Sequence, residues 1–234
     1  VKRLLFGDNL FYSNKGQQIT QTAPQTEREK MLQIYSKPNI PNIPPEQRLT
    51  VKTDIPSRLT RMRDIISKGQ IVLNKLPKPD APIEQLIQDG RYLYDILTQL
   101  KTEQEQMLNE ILTLKKDAST LLAKLPPNSP EYRKVKYFHD QLVVREVEVR
   151  QSLNAISTAL NELNRKVINV NEKDLSDPTK AKGIRYGMNS AIQKDVRHAI
   201  EFTKAVTDRI TATLKLINTL PKDANVKTAM QNKK

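Results

Sequence analysis

The chain carries two imidazoles, His139 and His198, and each has a carboxylate close by in sequence. His139 is followed directly by Asp140. Consecutive side chains on a helix diverge by roughly 100°, so this pair is not expected to share a site. His198 stands three residues from both Asp195 and Glu201, a spacing that can put ligands on one helix face. Two ligands on a solvated helix fall short of a metal centre, and both histidines read as structural. There is no cysteine, which excludes disulfides, thiolate nucleophiles and cysteine-based zinc sites. No glycine-rich phosphate loop follows a strand, because no strand is predicted, and no carboxylate pair occupies an evident apolar pocket. No catalytic residue, cofactor or metal is therefore expected, and a small-molecule substrate is not implied.

Binding chemistry is better represented. The sharpest basic cluster is Arg58-Leu59-Thr60-Arg61-Met62-Arg63. Arg58 and Arg61 fall on adjacent helical turns while Arg63 points elsewhere, so a row able to track phosphates is only partly formed. No aromatic residue interleaves with it, which favours a solvated face or a contact with an acidic protein patch over nucleic acid. Lys233 and Lys234 end a second basic stretch. Pro38, Pro41, Pro44 and Pro45 form a third candidate. Each proline removes a backbone donor and pushes its predecessor towards extended geometry, giving a polyproline-like strap suited to lying across a partner. Within the helical part, Gln104 is a lone polar residue on an apolar stripe, a place where one amide can fix register. Gly183-Ile184-Arg185-Tyr186-Gly187 reads either as a close helix contact or hinge, or as a weak start to a helix.

The elements that must position these residues are helical. From Ile83 to Leu125 apolar residues recur at alternating steps of three and four, through Leu86, Leu93, Leu97, Leu100, Met107, Ile111, Leu114 and Leu121. Gly90, Gln104 and Ala118 interrupt this heptad seam. A shorter helix is predicted before it, from Ser57 to Leu76, on Leu59, Met62, Ile66 and Leu73, with Gly69 filling a gap. Asp80 and Pro82 start the long helix and Pro126-Pro127 stops it. Ser129 caps a third helix to Val170, on Val135, Phe138, Leu142, Val149, Leu153, Ile156, Leu160, Leu163 and Val167. Successive four-residue steps around Glu146 make a stutter there. A fourth begins at Asp177-Pro178 or at Asn189 and runs to Leu220, on Ile192, Val196, Ala199, Val206, Ile210, Leu214 and Ile217. The three longer helices come to about 45, 41 and 43 residues, and short turns join them.

The expected fold is thus all-α: an elongated antiparallel three- to four-helix bundle with coiled-coil-like packing and an extended N-terminal arm. Residues 1–56 are the proline-rich arm, with at most a short helix near Gln25–Tyr35. Residues 57–221 are the bundle and 222–234 a basic tail. Hydrophobic content of 37% with 5% aromatics implies a core built from Leu, Ile and Val. No apolar run reaches the roughly 18 residues of a membrane span, and Gly7-Asp8-Asn9 ends the first apolar patch too early for a signal peptide. The net charge of +13 is spread along the chain, densest around Arg58 to Arg63 and the lysine-rich end. These features point to a non-enzymatic structural or scaffold protein. It would space or staple neighbouring subunits of a large protein assembly, such as a virion shell in which it is a minor component. Its place would be intracellular or virion-associated. The alternative is a basic helical protein that binds nucleic acid or an anionic surface through Arg58, Arg61, Arg63 and the terminal lysines.

Overall fold

The computed structural model describes residues 55–75 and 82–220. Among them the chain is all-helical: 92% of residues are in helices and none is in a strand. Helix α1 spans Ile55–Lys75 and α2 spans Ile83–Lys124. Helix α3 covers Pro130–Leu163 and continues through a π turn, Asn164–Ile168. The short α4 is Glu172–Leu175. Helix α5, Pro178–Ser190, passes through a second π turn, Ala191–Val196, into α6, Arg197–Lys215. A 3-10 turn, Leu216–Thr219, closes the series. Asp80, Leu76, most of the proline-rich arm and the basic tail lie outside the described residues.

The seam of α2 is buried at every expected position from Leu86 to Leu125, and its three interruptions belong to it. Gly90 is buried because a Cβ there would run into Val167 Cγ1 at the π turn after α3. Gly69 of α1 faces Ile200 Cδ1 at 2.7 Å and Ile96 Cγ2 at 3.3 Å from where its Cβ would stand. Both glycines admit a neighbouring side chain that alanine would push away, which offsets the poor helix propensity of glycine. Ile83 is only half-buried, since it opens the helix.

Two compact units form the chain, and α1, α2, α3 and α6 each contribute residues to both. In the unit of residues 61–106 and 148–207, α1, α2, α3 and α6 meet through the Gly69 and Gly90 contacts and a polar layer described below. In the other unit, the end of α2 turns into α3 through Leu125–Ser129. Asn128 takes φ 63°, a left-handed conformation that asparagine tolerates better than most residues. Ser129 then caps α3, its Oγ accepting from Tyr132 N at 3.1 Å. Across the turn, Lys115 Nζ pairs with Glu146.

Two boundaries and one stripe differ from expectation, and the open choice for the start of the fourth helix is decided. Helix α1 begins at Ile55 rather than Ser57, with Ile55 and Pro56 buried. The fourth helix starts at Pro178, not Asn189, because Asp177 Oδ1 accepts from Thr179 N at 2.9 Å and from Lys180 N at 3.4 Å. The third helix stops at Ile168, two residues short of Val170. From Val149 onward α3 buries Val149, Ser152, Ile156, Ala159 and Leu163, while Leu153 and Leu160 are half-buried. Small residues take the inner positions where helices approach closely, and the larger leucines flank them. The π turns also have a reason. Ala159, Leu163 and Val167, and again Met188, Ile192 and Val196, are buried at successive steps of four. An α-helix would rotate such a series off the core, and a wider turn brings it back.

Candidate interaction surfaces and the buried polar layer

The Arg58–Arg63 cluster lies on the first turns of α1, where helical phasing separates its members. Arg61 is exposed and its guanidinium forms a fork on Glu103 of α2, Nε to Oε1 at 3.2 Å and Nη2 to Oε2 at 3.4 Å. Arg58 and Arg63 are half-buried and each already engages another group of the protein. The cluster is not brought together as one cationic row. Pro38, Pro41, Pro44, Pro45, Lys233 and Lys234 fall outside the described residues.

Gln104 is fully buried, and its Nε2 donates to Ser152 Oγ of α3 at 2.7 Å. Ser152 Oγ lies 3.3 Å from Thr203 Oγ1 of α6, long for a hydroxyl pair. Either hydroxyl can donate in that pair, and with Ser152 accepting from the amide the contacts link three helices through one polar layer. Thr207, one turn on, donates to its own helix at Thr203 O, 2.7 Å away, which is how a threonine enters an apolar interior. Gln104 Oε1 finds no donor among the described residues. Sequence reading singled out Gln104 but missed Ser152 and Thr203, although Thr203 fills the gap between Ala199 and Val206 at heptad spacing.

The histidines take surface roles. His198 is exposed and stacks on Phe202, centroids 5.8 Å apart and planes inclined by 18°. Among the described residues no group of three or more potential ligands gathers around either histidine. Contrary to expectation, His139 and Asp140 do meet: Nδ1 lies 3.3 Å from Oδ1. Lys136 holds the other carboxylate oxygen at 2.9 Å, which turns Oδ1 towards the neighbouring ring. The hydrogen bond from Lys136 lowers the Asp140 carboxyl below the usual range and raises the lysine in turn. Glu162 is lowered in the same way by Lys166 and Arg165.

Two further surfaces stand out. On α3, Tyr137, Val143, Val144 and Val147 are exposed, on the side of the helix away from buried Val135, Phe138, Leu142 and Val149. On α5, the glycine motif makes no close contact. Gly183 has no heavy atom within 4 Å of where a Cβ would stand, and Gly187 has Lys166 Cδ at 3.8 Å. Tyr186 between them is 78% exposed. No helix among the described residues is long and apolar enough to cross a membrane. Comparisons with protein-family models, with curated proteins and with solved structures find no match.

Proposed function

We propose that this protein is a non-enzymatic scaffold, an elongated antiparallel bundle of three to four helices with coiled-coil-like packing that spaces neighbouring subunits of a large protein assembly. The observation that carries this reading is the two-sided character of α3. One side of Pro130–Val147 is core, and Tyr137, Val144 and Val147 continue as an outward strip at helical spacing, with Val143 beside them. Single exposed apolar residues need no explanation, but a strip of β-branched aliphatics and an aromatic on one outward face suits a neighbouring helix. The interior supports the reading too. Its polar layer consists of an amide and two hydroxyls, groups that fix alignment between helices and do not titrate. Arg61 is committed to Glu103, which weakens the case for a phosphate-binding row on α1.

Two measurements test the proposal. The 42-residue α2 alone is about 63 Å long at 1.5 Å per residue, and the proposed elongated bundle would take that length as its long axis in a fragment of residues 55–220. X-ray scattering should then return a radius of gyration near 20 Å, whereas a rounded domain of that length gives about 15 Å. In the native assembly, cross-links from residues 137–147 should reach a neighbouring chain. Replacing Val144 and Val147 by glutamate should abolish incorporation while leaving helicity and thermal midpoint unchanged. Normal incorporation of that variant overturns the proposal.

A further inference from the structure

The motif Gly183-Ile184-Arg185-Tyr186-Gly187 has no role in the interior, so its place on the surface becomes the question. Helix α5 buries Met188, with Ala181 and Ile184 half-buried near it. The opposite face carries Thr179, Lys182, Gly183 and Tyr186, all exposed. Side chains on a helix lean towards its N-terminus, a direction that takes Tyr186 towards the turn of Lys182 and Gly183 without closing on it. Gly183 offers no side chain to that turn, and nothing comes within 4 Å of its missing Cβ. A glycine inside a helix costs about 1 kcal/mol against alanine, and here no packing contact offsets it. What it leaves is a flat aromatic surface beside bare backbone.

The charge around that ring is positive and uncommitted. Lys182 and Arg185 have no ion pair among the described residues, in contrast to their neighbours. Lys180 is held by Asp174 at 3.1 Å, and Arg165 and Lys166 by Glu162 at 2.8 and 2.9 Å. Asp177 is occupied in capping α5. Glu172 on α4 is the remaining acid in this stretch without such a partner. Lys182 and Arg185 stand at i and i+3, where side chains are neighbours on one helix surface, on the order of the spacing of successive phosphates along a strand.

We propose that this face of α5 binds single-stranded nucleic acid, with a base stacked on Tyr186 and the adjoining phosphates on Lys182 and Arg185. An acidic peptide would use the two cations and leave the ring without a role. A base uses both, because every base presents a π face and sits between charged phosphates. A duplex keeps its bases stacked on one another and cannot give one to an isolated ring.

The chain contains no tryptophan, so Tyr186→Trp places a single indole, excited selectively over the remaining tyrosines, at the proposed contact. The full chain is titrated with a thymidine homopolymer of about 20 nucleotides, with an abasic strand of equal length, and with polyglutamate. The expected result is quenching by the homopolymer and little by the other two. Tyr186→Ala should weaken homopolymer binding about 5- to 150-fold, while Tyr186→Phe keeps it. Lys182→Gln and Arg185→Gln should each reduce the logarithmic salt slope by about 0.7. Lys182 and Tyr186 are exposed and Arg185 is half-buried, and circular dichroism checks that α5 persists. Binding without quenching would place the contact elsewhere and overturn the proposal. So would equal quenching by polyglutamate or by the abasic strand, or no binding at low salt.

Discussion

Replacing Gln104 by leucine should stabilise the protein, although it removes a buried hydrogen bond. Gln104 is 0% exposed, donates one bond to Ser152 at 2.7 Å, and leaves Oε1 without a donor among the described residues. Losing the Nε2 bond costs about 0.5–1.5 kcal/mol net. Removing an unsatisfied buried carbonyl recovers about 1–3 kcal/mol of desolvation, and the leucine adds apolar burial within the α2 seam. Ser152 is not orphaned, because Thr203 Oγ1 remains beside it. The balance is a gain of about 1–3 kcal/mol, which for a chain of this size raises the thermal midpoint by a few degrees for each kcal/mol. Gln104→Ala removes the same bond but leaves a cavity, and should lose about 2 kcal/mol instead. Urea unfolding followed by circular dichroism measures both, and a constant m value shows that only the folded state has changed. The leucine variant should also show a broader distribution of species in sedimentation velocity, since the residue that fixed alignment is gone. A leucine variant less stable than wild type by more than about 1 kcal/mol at unchanged m would refute the reasoning. It would mean that Oε1 is satisfied in solution and that the polar layer is a net source of stability.

Other perturbations separate the remaining claims. Gly90→Ala forces a methyl against Val167 Cγ1 and should cost about 1–3 kcal/mol in urea unfolding despite the better helix former, and Val167→Ala in the same chain should recover part of that loss. Asn128→Val puts a β-branched residue at φ 63° and should cost about 1–2 kcal/mol, whereas Asn128→Gly should be near neutral. Thermal midpoints should fall at both extremes of pH. The lowered Asp140 and Glu162 carboxyls stabilise the fold above their unfolded values near pH 4, and that contribution is lost as pH falls through the folded values. Lys136, raised by the same pair, contributes fully below its unfolded value near 10.5 and loses that contribution as pH rises through the folded one. Asp140→Asn should flatten part of both limbs, with small amplitudes because these pairs are exposed.

The α2 seam was legible because its signal depends only on spacing. From Leu86 to Leu125 a strict three-four alternation permits one buried line, whatever occupies it, so glycine, glutamine and alanine could be assigned to that line without knowing their partners. Helix α3 was misread where residue type and position disagreed. Leucine is the more apolar residue, so Leu153 and Leu160 were expected inside, yet Ser152 and Ala159 hold those places. The choice belongs to the approaching helix, which the sequence of α3 does not contain. The π turns follow the same logic. Steps of four at Ala159–Leu163–Val167 and Met188–Ile192–Val196 are visible in the sequence, but their meaning requires knowing that all six residues are buried. The arginine cluster was legible only in part: helical phasing already set Arg63 apart from Arg58 and Arg61, but the pairing of Arg61 with Glu103, 42 residues away, has no local signal.

Small residues serve opposite ends in this chain, and the difference locates where partners can act. Gly69, Gly90, Ser152 and Ala159 are buried, and the first three meet identified atoms of other helices. Enlarging them strains the protein itself. Gly183 is equally small and meets nothing, so enlarging it should leave the fold unharmed and, on helix propensity alone, slightly more stable. A helical interior that gains alignment from close approach accounts for the first group. It gives no reason for the second, nor for an exposed tyrosine and two unpaired cations beside it. The α3 strip and the α5 face are therefore separable. Glutamates at Val144 and Val147 test an apolar protein contact, Tyr186→Ala tests a stacked base, and neither substitution should change the behaviour that the other reports.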